Sequence, residues 1–338
     1  MTTPASTSPT IGVFDSGFGG LTVLRALMTR FPYAQFAFLG DTARLPYGSK
    51  SRRTIARYAA QSAQFLVSEQ GAEFLVIACN TASALALDAI QEAVSIPVLG
   101  VIEPGASAAR AASQTGDVLV IATDATVHSH AYAAACRAKG LRALEKACPL
   151  LVPLVEEGWT DHPVTAEVIR IYLAEVLAEA AALNLKPDVL VLGCTHYPLL
   201  RPLIEAAVPA GMKVIDSAEA AAEAAVQLFN HQELTQPILA ALSEETSGEG
   251  FANATDTSGN PILSTPFVDM APESFGNTTD ADGHPILSTP PVERLGEDAA
   301  LTAQVRCFAT DSVEKFERLG SRFLARPTGN VKLVDLGG

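Results

Sequence analysis

Two stretches of the sequence set a thiol beside other reactive groups at the end of an apolar run. In VLVLGCTHYP, Val189 to Pro198, four apolar residues lead through Gly193 to Cys194, Thr195 and His196. In LVIACNTAS, Leu75 to Ser83, a similar run leads to Cys79, Asn80 and Thr81. One activated cysteine with a histidine suits a nucleophilic hydrolase or transferase. Two thiols, one in each of two similar motifs, suit another task. Inverting a carbon centre without a cofactor takes a base on one face and an acid on the other. A thiolate and a thiol can fill these roles and exchange them when the reaction reverses. A proton on carbon next to a carboxylate is very weakly acidic, so polar donors must stabilise the charge that develops. Asn80, Thr81, Thr195 and Ser16 are suitable donors. His196 can shuttle the Cys194 proton, and Asp15 can serve Cys79 likewise. A thiol at a strand-to-helix turn lies near unsatisfied N–H groups, which predicts a pKa lowered from about 8.5 toward neutrality.

The surrounding elements have to hold these groups at one place. Continuous apolar runs bounded by Gly read as strands buried on both faces, as in parallel sheets. In open α/β sheets ligands bind at the carboxyl ends of strands. Residues 11–14 form such a strand, followed by Asp15-Ser16-Gly17-Phe18-Gly19-Gly20 and a helical pattern. The spacing predicts further strands at 35–39, 75–78, 97–102, 117–122, 148–154, 189–193, 213–216 and 304–309. Helices are predicted at 51–70, 82–94, 130–139, 165–183, 218–230 and 313–323. Thr123, after the 117–122 strand, is a further substrate-binding candidate. The order strand, polar turn, helix, strand, loop, helix, Cys strand occurs twice. It predicts an α/β protein of two similar domains, flavodoxin-like or Rossmann-like, with mainly parallel sheets and the active site in the cleft between them. Domain 1 is expected to span 11–103 plus 211–338, and domain 2 to span 104–210.

The 338 residues give room for two domains and an ample core. A net charge of −14 argues against a nucleic-acid partner, since phosphate binding needs clustered Lys and Arg. No apolar run is long enough to span a bilayer, so no membrane partner is expected. Residues 1–10 lack the features of a signal peptide and read as a disordered lead-in. The five cysteines show no metal-ligand spacing and no CxxC, which predicts free thiols, a cytoplasmic location and no metal site. His128 and His130 form an H-x-H pair with no third ligand in view, and Cys136, Cys148 and Cys307 read as packing residues. Between 243 and 297 the composition turns to Gly, Pro, Ser, Thr and Asp. A direct repeat lies there, NATDTSGNPILSTP at 253–266 and NTTDADGHPILSTP at 277–290. This predicts a flexible insertion with no catalytic role.

IGVFDSGFGGLTVL, GDTARLPYGSKS, IACNTASALAL, GVIEPGA, LVPLVEEGW and LGCTHYPLL occur in one order along the chain. In these six motifs the sequence closely resembles glutamate racemases of the aspartate/glutamate racemase superfamily, from about Ile11 to Asn230. The resemblance implies that Cys79 and Cys194 are the catalytic thiols, acting on opposite faces of the substrate's α-carbon. It implies that Asp15, Glu156 and His196 assist them. Asp15-Ser16, Tyr47-Gly48, Asn80-Thr81 and Thr195-His196 match the family's substrate-binding positions. Also implied are a cofactor-independent reaction, L-/D-glutamate as substrate, D-glutamate supply for peptidoglycan and hence cell shape, and a homodimer. The family's aspartate branch tends to carry Glu after Cys-Thr, so His196 favours glutamate. Turnover of aspartate or an arylmalonate is the enzymatic alternative. A binding protein for an acidic ligand, or for a partner such as gyrase, is the non-enzymatic one, and the intact thiol pair argues against it. The 243–297 insertion departs from the family pattern.

Overall fold

The computed structural model describes residues 9–229 and 303–337. Residues 1–8 of the expected lead-in and the whole 243–297 stretch lie outside the described residues. The strands are β1 (Thr10–Asp15), β2 (Gln35–Gly40), β3 (Phe74–Ile77), β4 (Val98–Gly100), β5 (Asp117–Ala122), β6 (Arg142–Ala147), β7 (Val189–Gly193), β8 (Lys213–Asp216), β9 (Gln304–Ala309) and β10 (Val331–Leu333). The first helices are α1 (Leu21–Arg30), α2 (Arg52–Ser68), α3 (Asn80–Leu85), α4 (Leu87–Ala93), α5 (Ile102–Ala112) and α6 (Asp124–Ser129). They are followed by α7 (Ala131–Ala138), α8 (Leu151–Glu156), α9 (Pro163–Ala182), α10 (Arg201–Ala207), α11 (217–229 as described) and α12 (Val313–Leu324).

Every strand pairing among the described residues is parallel. One sheet has the order β10-β9-β2-β1-β3-β4 and the other β6-β5-β7-β8. Helices cover both faces of each sheet, so the central strands β3, β5 and β7 are buried along their whole length, as their apolar runs require. One core cluster runs through both sheets, from Ile11, Leu24 and Phe36 to Leu119, Leu190 and Tyr197. The outer faces have separate clusters, around Phe14, Leu39 and Ile77 in the first sheet and around Val118, Tyr132 and Val191 in the second. The carboxyl ends of β1, β3, β5 and β7 carry Asp15, Cys79, Thr123 and Cys194.

Four sequence expectations give way to the structure. The boundary placed at 211 comes too early, because Lys213–Asp216 pairs with β7 and belongs to the second sheet. The return to the first sheet is made by α11, whose Ala221, Ala222 and Ala225 enter the shared core and whose Phe229 packs on Phe31 and Phe74. The strand expected at 148–154 is instead α8, and the strand beside β5 is Arg142–Ala147. That strand has one neighbour and a half-exposed surface, so it carries Arg142, Glu145 and Lys146 and lacks an apolar signature. In the CPLLVPLV run, Pro149 and Pro153 have no N–H to give a sheet ladder. The helix expected at 82–94 is two helices meeting at Ala86. The strand expected at 97–102 stops at Gly100, and α5 starts at Ile102 with Pro104 in its first turn, where a missing N–H costs nothing.

Candidate active site

Cys79 lies two residues beyond the end of β3 and caps α3, its Sγ accepting from the Ala82 N–H at 3.4 Å. Its thiol also donates to Ser16 Oγ at 3.4 Å. The expectation of a lowered pKa fails here. Burial, reinforced by the charge of Asp15, pushes the Cys79 thiol up to about 12, and the Ser16 and Ala82 contacts only soften the rise. Water is a better host for a thiolate than one turn of helix, and the sequence does not display that burial. Asp15, 1% exposed, accepts from the Gly17 N–H through Oδ2 at 2.9 Å, and its Oδ1 has no protein partner. Burial raises the Asp15 carboxyl, against the pull of His196 and the nearby N–H groups.

On the other side, Cys194 Sγ lies 4.0 Å from His196 Nδ1, with Thr195 Oγ1 at 3.4 Å from the same nitrogen. His196 Nε2 meets Glu156 Oε1 at 3.3 Å, and Lys315 Nζ meets Glu156 Oε2 at 3.5 Å. Burial alone would lower the His196 pKa, but the hydrogen bonds and charges of Cys194 and Glu156 outweigh it and raise the value to about 10. Burial likewise opposes the Glu156 charge, yet His196 and Lys315 bring its carboxyl below the usual value. The C-terminal elements close this side. Strand β9 inserts between β2 and β10. On α12, Phe323 stands with its ring centroid 5.1 Å from that of His196, while Phe316 sets its edge against Phe18.

The two halves touch through these same residues. Thr81 Oγ1 lies 3.1 Å from Thr123 Oγ1 and 3.2 Å from Thr126 Oγ1. Gly48 approaches Thr123, so that a Cβ there would stand 3.7 Å from the Thr123 Cβ. Thr22 Oγ1 donates to the Thr195 carbonyl at 3.2 Å. Gly19 passes so close to the second motif that a Cβ on it would lie 2.6 Å from His196 Nδ1 and nearer still to Thr195 Oγ1. Asn80 Oδ1 accepts from the Tyr132 hydroxyl at 2.7 Å, while Asn80 Nδ2 is buried without a protein partner. Asp15, Ser16, Cys79, Asn80, Thr81, Thr123, Cys194, Thr195, His196 and Glu156 thus form one contiguous set. Tyr47 has a different posture. Its hydroxyl donates to Asp41 Oδ2 at 2.6 Å and its ring packs between Phe14 and Tyr58, which leaves the Tyr47-Gly48 backbone as the part near Thr123. The H-x-H pair divides, His128 turning to Asp124 and His130 to Glu145.

Thr126 and Tyr132 were not foreseen. Thr126 had a signal, since i and i+3 place its hydroxyl beside that of Thr123 on the first turn of α6. Tyr132, in HAYAAAC, reads as an ordinary core aromatic.

The Asp/Glu/Hydantoin racemase family model matches residues 23–225, which include both cysteine motifs. A glutamate racemase of Koribacter versatilis is 49% identical over 330 residues, 98% of each chain. The 243–297 stretch falls within that span, so its length is not peculiar to this chain. A glutamate racemase of Syntrophus aciditrophicus is 50% identical over 229 residues, 67% of this chain and 82% of the relative. Among solved structures, the glutamate racemase of Francisella tularensis in complex with D-glutamate superposes with a TM-score of 0.69 at 30% identity, covering 98% of both chains. Similarity of this extent means that the chain belongs to the glutamate racemases of the Asp/Glu/hydantoin racemase family.

Proposed function

We propose that this racemase interconverts L- and D-glutamate, without a cofactor, by proton transfer between the α-carbon and two cysteines. The observation that carries the reading is a pair of buried groups of opposite character beside Cys79. Asp15 Oδ1 is an acceptor without a donor, and Asn80 Nδ2 is a donor without an acceptor. Leaving such groups unpaired costs roughly 1–3 kcal/mol each. The ammonium and carboxylate of an α-amino acid are the complementary groups.

In one direction a thiolate at Cys194 takes the α-proton, and the electron pair passes into the carboxylate to give a planar enediolate. The Cys79 thiol, held protonated by burial, then delivers its proton to the opposite face. The reverse reaction exchanges the two roles. His196 carries a proton next to Cys194, and Glu156 with Lys315 holds the imidazolium in place. Ser16, Thr81, Thr123 and Thr195, with the Tyr47-Gly48 backbone, supply the remaining polar contacts. By resemblance, the chain works in the cytoplasm as a homodimer and feeds D-glutamate to peptidoglycan synthesis. Among the described residues no helix is long and apolar enough to cross a membrane.

The test is incubation with L-glutamate in deuterated water. D-glutamate carrying deuterium at the α-carbon supports the proposal. Turnover of aspartate in its place, or no α-exchange at all, defeats it.

The His196–Glu156 pair makes a separate prediction about stability. The raised His196 value contributes stability that is complete below about pH 6.5 and is gone once the pH passes about 10. The depressed Glu156 value contributes above about pH 4.5, and this is lost as the pH falls through the folded value. The melting temperature of Glu156→Gln should therefore fall furthest below that of the unaltered protein between about pH 4.5 and 6.5. The gap should narrow toward pH 10, and a constant gap across this range would contradict the pairing.

A further inference from the structure

We infer that Tyr132 is a positioning residue for the reaction: its hydroxyl fixes which end of the Asn80 amide faces the substrate, and its ring ties that orientation to the Cys194 strand. The inference rests on the proposed racemisation, with Asn80 meeting the substrate carboxylate. An asparagine side chain has a donor end and an acceptor end, nearly identical in shape. Facing a carboxylate, only the donor end is of use. Asn80 Oδ1 is occupied by the Tyr132 hydroxyl at 2.7 Å, which leaves Nδ2 as the free end, buried and unpartnered. Burial first, then nearby thiols and Asp216, push the Tyr132 phenol above its usual range, so it remains a donor at any working pH.

The ring itself has little freedom. Tyr132 is fully buried. A Cβ on Gly193 would stand 2.9 Å from its Cε2, and one on Gly105 would stand 3.2 Å from its Cε1. Gly193 directly precedes Cys194, while Asn80 directly follows Cys79. One side chain on α7 thus touches the neighbours of both thiols.

Tyr132→Phe keeps the ring and removes only the hydroxyl. Freed from its donor, the Asn80 amide populates both orientations, and kcat/KM for L-glutamate should fall about tenfold, as expected for one buried hydrogen bond. A tyrosine that matters only for packing would lower activity whatever stands at position 80. A tyrosine that acts through Asn80 would not. Adding Tyr132→Phe to Asn80→Ala should therefore leave the kcat/KM of Asn80→Ala unchanged. Wild-type kcat/KM within twofold in Tyr132→Phe, or an equal further loss in the double variant, would overturn the inference. A measurement on the unaltered protein covers the case in which Tyr132→Phe does not fold. The Asn80 side-chain NH2 resonances, assigned by their loss in Asn80→Ala, should shift on addition of glutamate. If they stay in place while the enzyme turns over, Asn80 does not present its donor end and the inference fails. A silent wild-type enzyme in the same assays would refute the racemase reading instead.

Discussion

Cys79→Ala and Cys194→Ala should each lower racemisation of glutamate by at least about 1,000-fold, the upper range of what one acid–base group contributes. Inversion requires proton removal from one face and delivery to the other, so one remaining thiol cannot complete it. It can still return deuterium to the face from which it took the proton. Each variant should therefore exchange the α-proton of one enantiomer only, and the two variants should choose opposite enantiomers. Proton NMR in deuterated water reads this directly. Racemisation at the wild-type rate in either variant would end the two-base assignment. The stability controls differ between the sites. Cys79 Sγ accepts from the Ala82 N–H, so its removal strips a helix cap worth about 0.5–2 kcal/mol. Cys79→Ser restores an acceptor at that position but not a thiol. It should recover the melting temperature of Cys79→Ala and none of the activity. Cys194 caps no helix, but it is buried and helps to raise the His196 pKa, so its alanine variant should melt below the wild type, and by more below about pH 6.5 than toward pH 10.

The second large effect is expected at a residue with no side chain. Gly19→Ala should reduce kcat/KM about 100-fold, as a misplacement of roughly 1 Å in the catalytic groups can do. Gly19 has no positive φ, so alanine meets no backbone penalty there, and the effect comes from space alone. Its Cβ would lie 2.6 Å from His196 Nδ1 and would also overlap Thr195 Oγ1. Both side chains must shift from their places beside Cys194, at a cost in stability of about 1–3 kcal/mol for the crowding. Gly17→Ala is the comparison, because its Cβ would find its nearest neighbour, Leu45, at an ordinary 3.6 Å. It should lose less than about threefold, since no group has to shift. Equal activity in the two variants would mean that the Gly19 contact does not set the position of His196.

The candidate site is largely legible in the sequence because its residues stand at the ends of strands buried on both faces. The apolar runs before Asp15, Cys79, Thr123 and Cys194 mark β1, β3, β5 and β7, and parallel strands bring their carboxyl ends to one side. The edge strand β6 was not legible, because with a single neighbour it needs no apolar pattern and has charged residues in its place. The Cys79 acidity was misjudged for a related reason. The capping N–H groups follow from local sequence, whereas the burial that outweighs them comes from packing with residues distant along the chain, among them Phe14, Tyr47 and Phe308, and the charge of Asp15 adds to it. Tyr47 reads as a substrate contact from its motif, yet its hydroxyl is committed to Asp41. Asp41 also accepts from Arg44 and Thr310, and Thr310 is contributed from far along the chain. No window of neighbouring residues contains that arrangement.

The place of β9 and α12 bears on when the protein can start to work. Both sulfurs, the aspartate and the imidazole have left the ribosome before Val305, Phe316 or Phe323 is made. Until those residues arrive, β2 has no partner on its outer side, and His196 has Phe18 beside it but not the nearer ring of Phe323. A nascent chain that ends before β9 should therefore carry both thiols and still fail to racemise, and activity should appear only once β9 and α12 have been made.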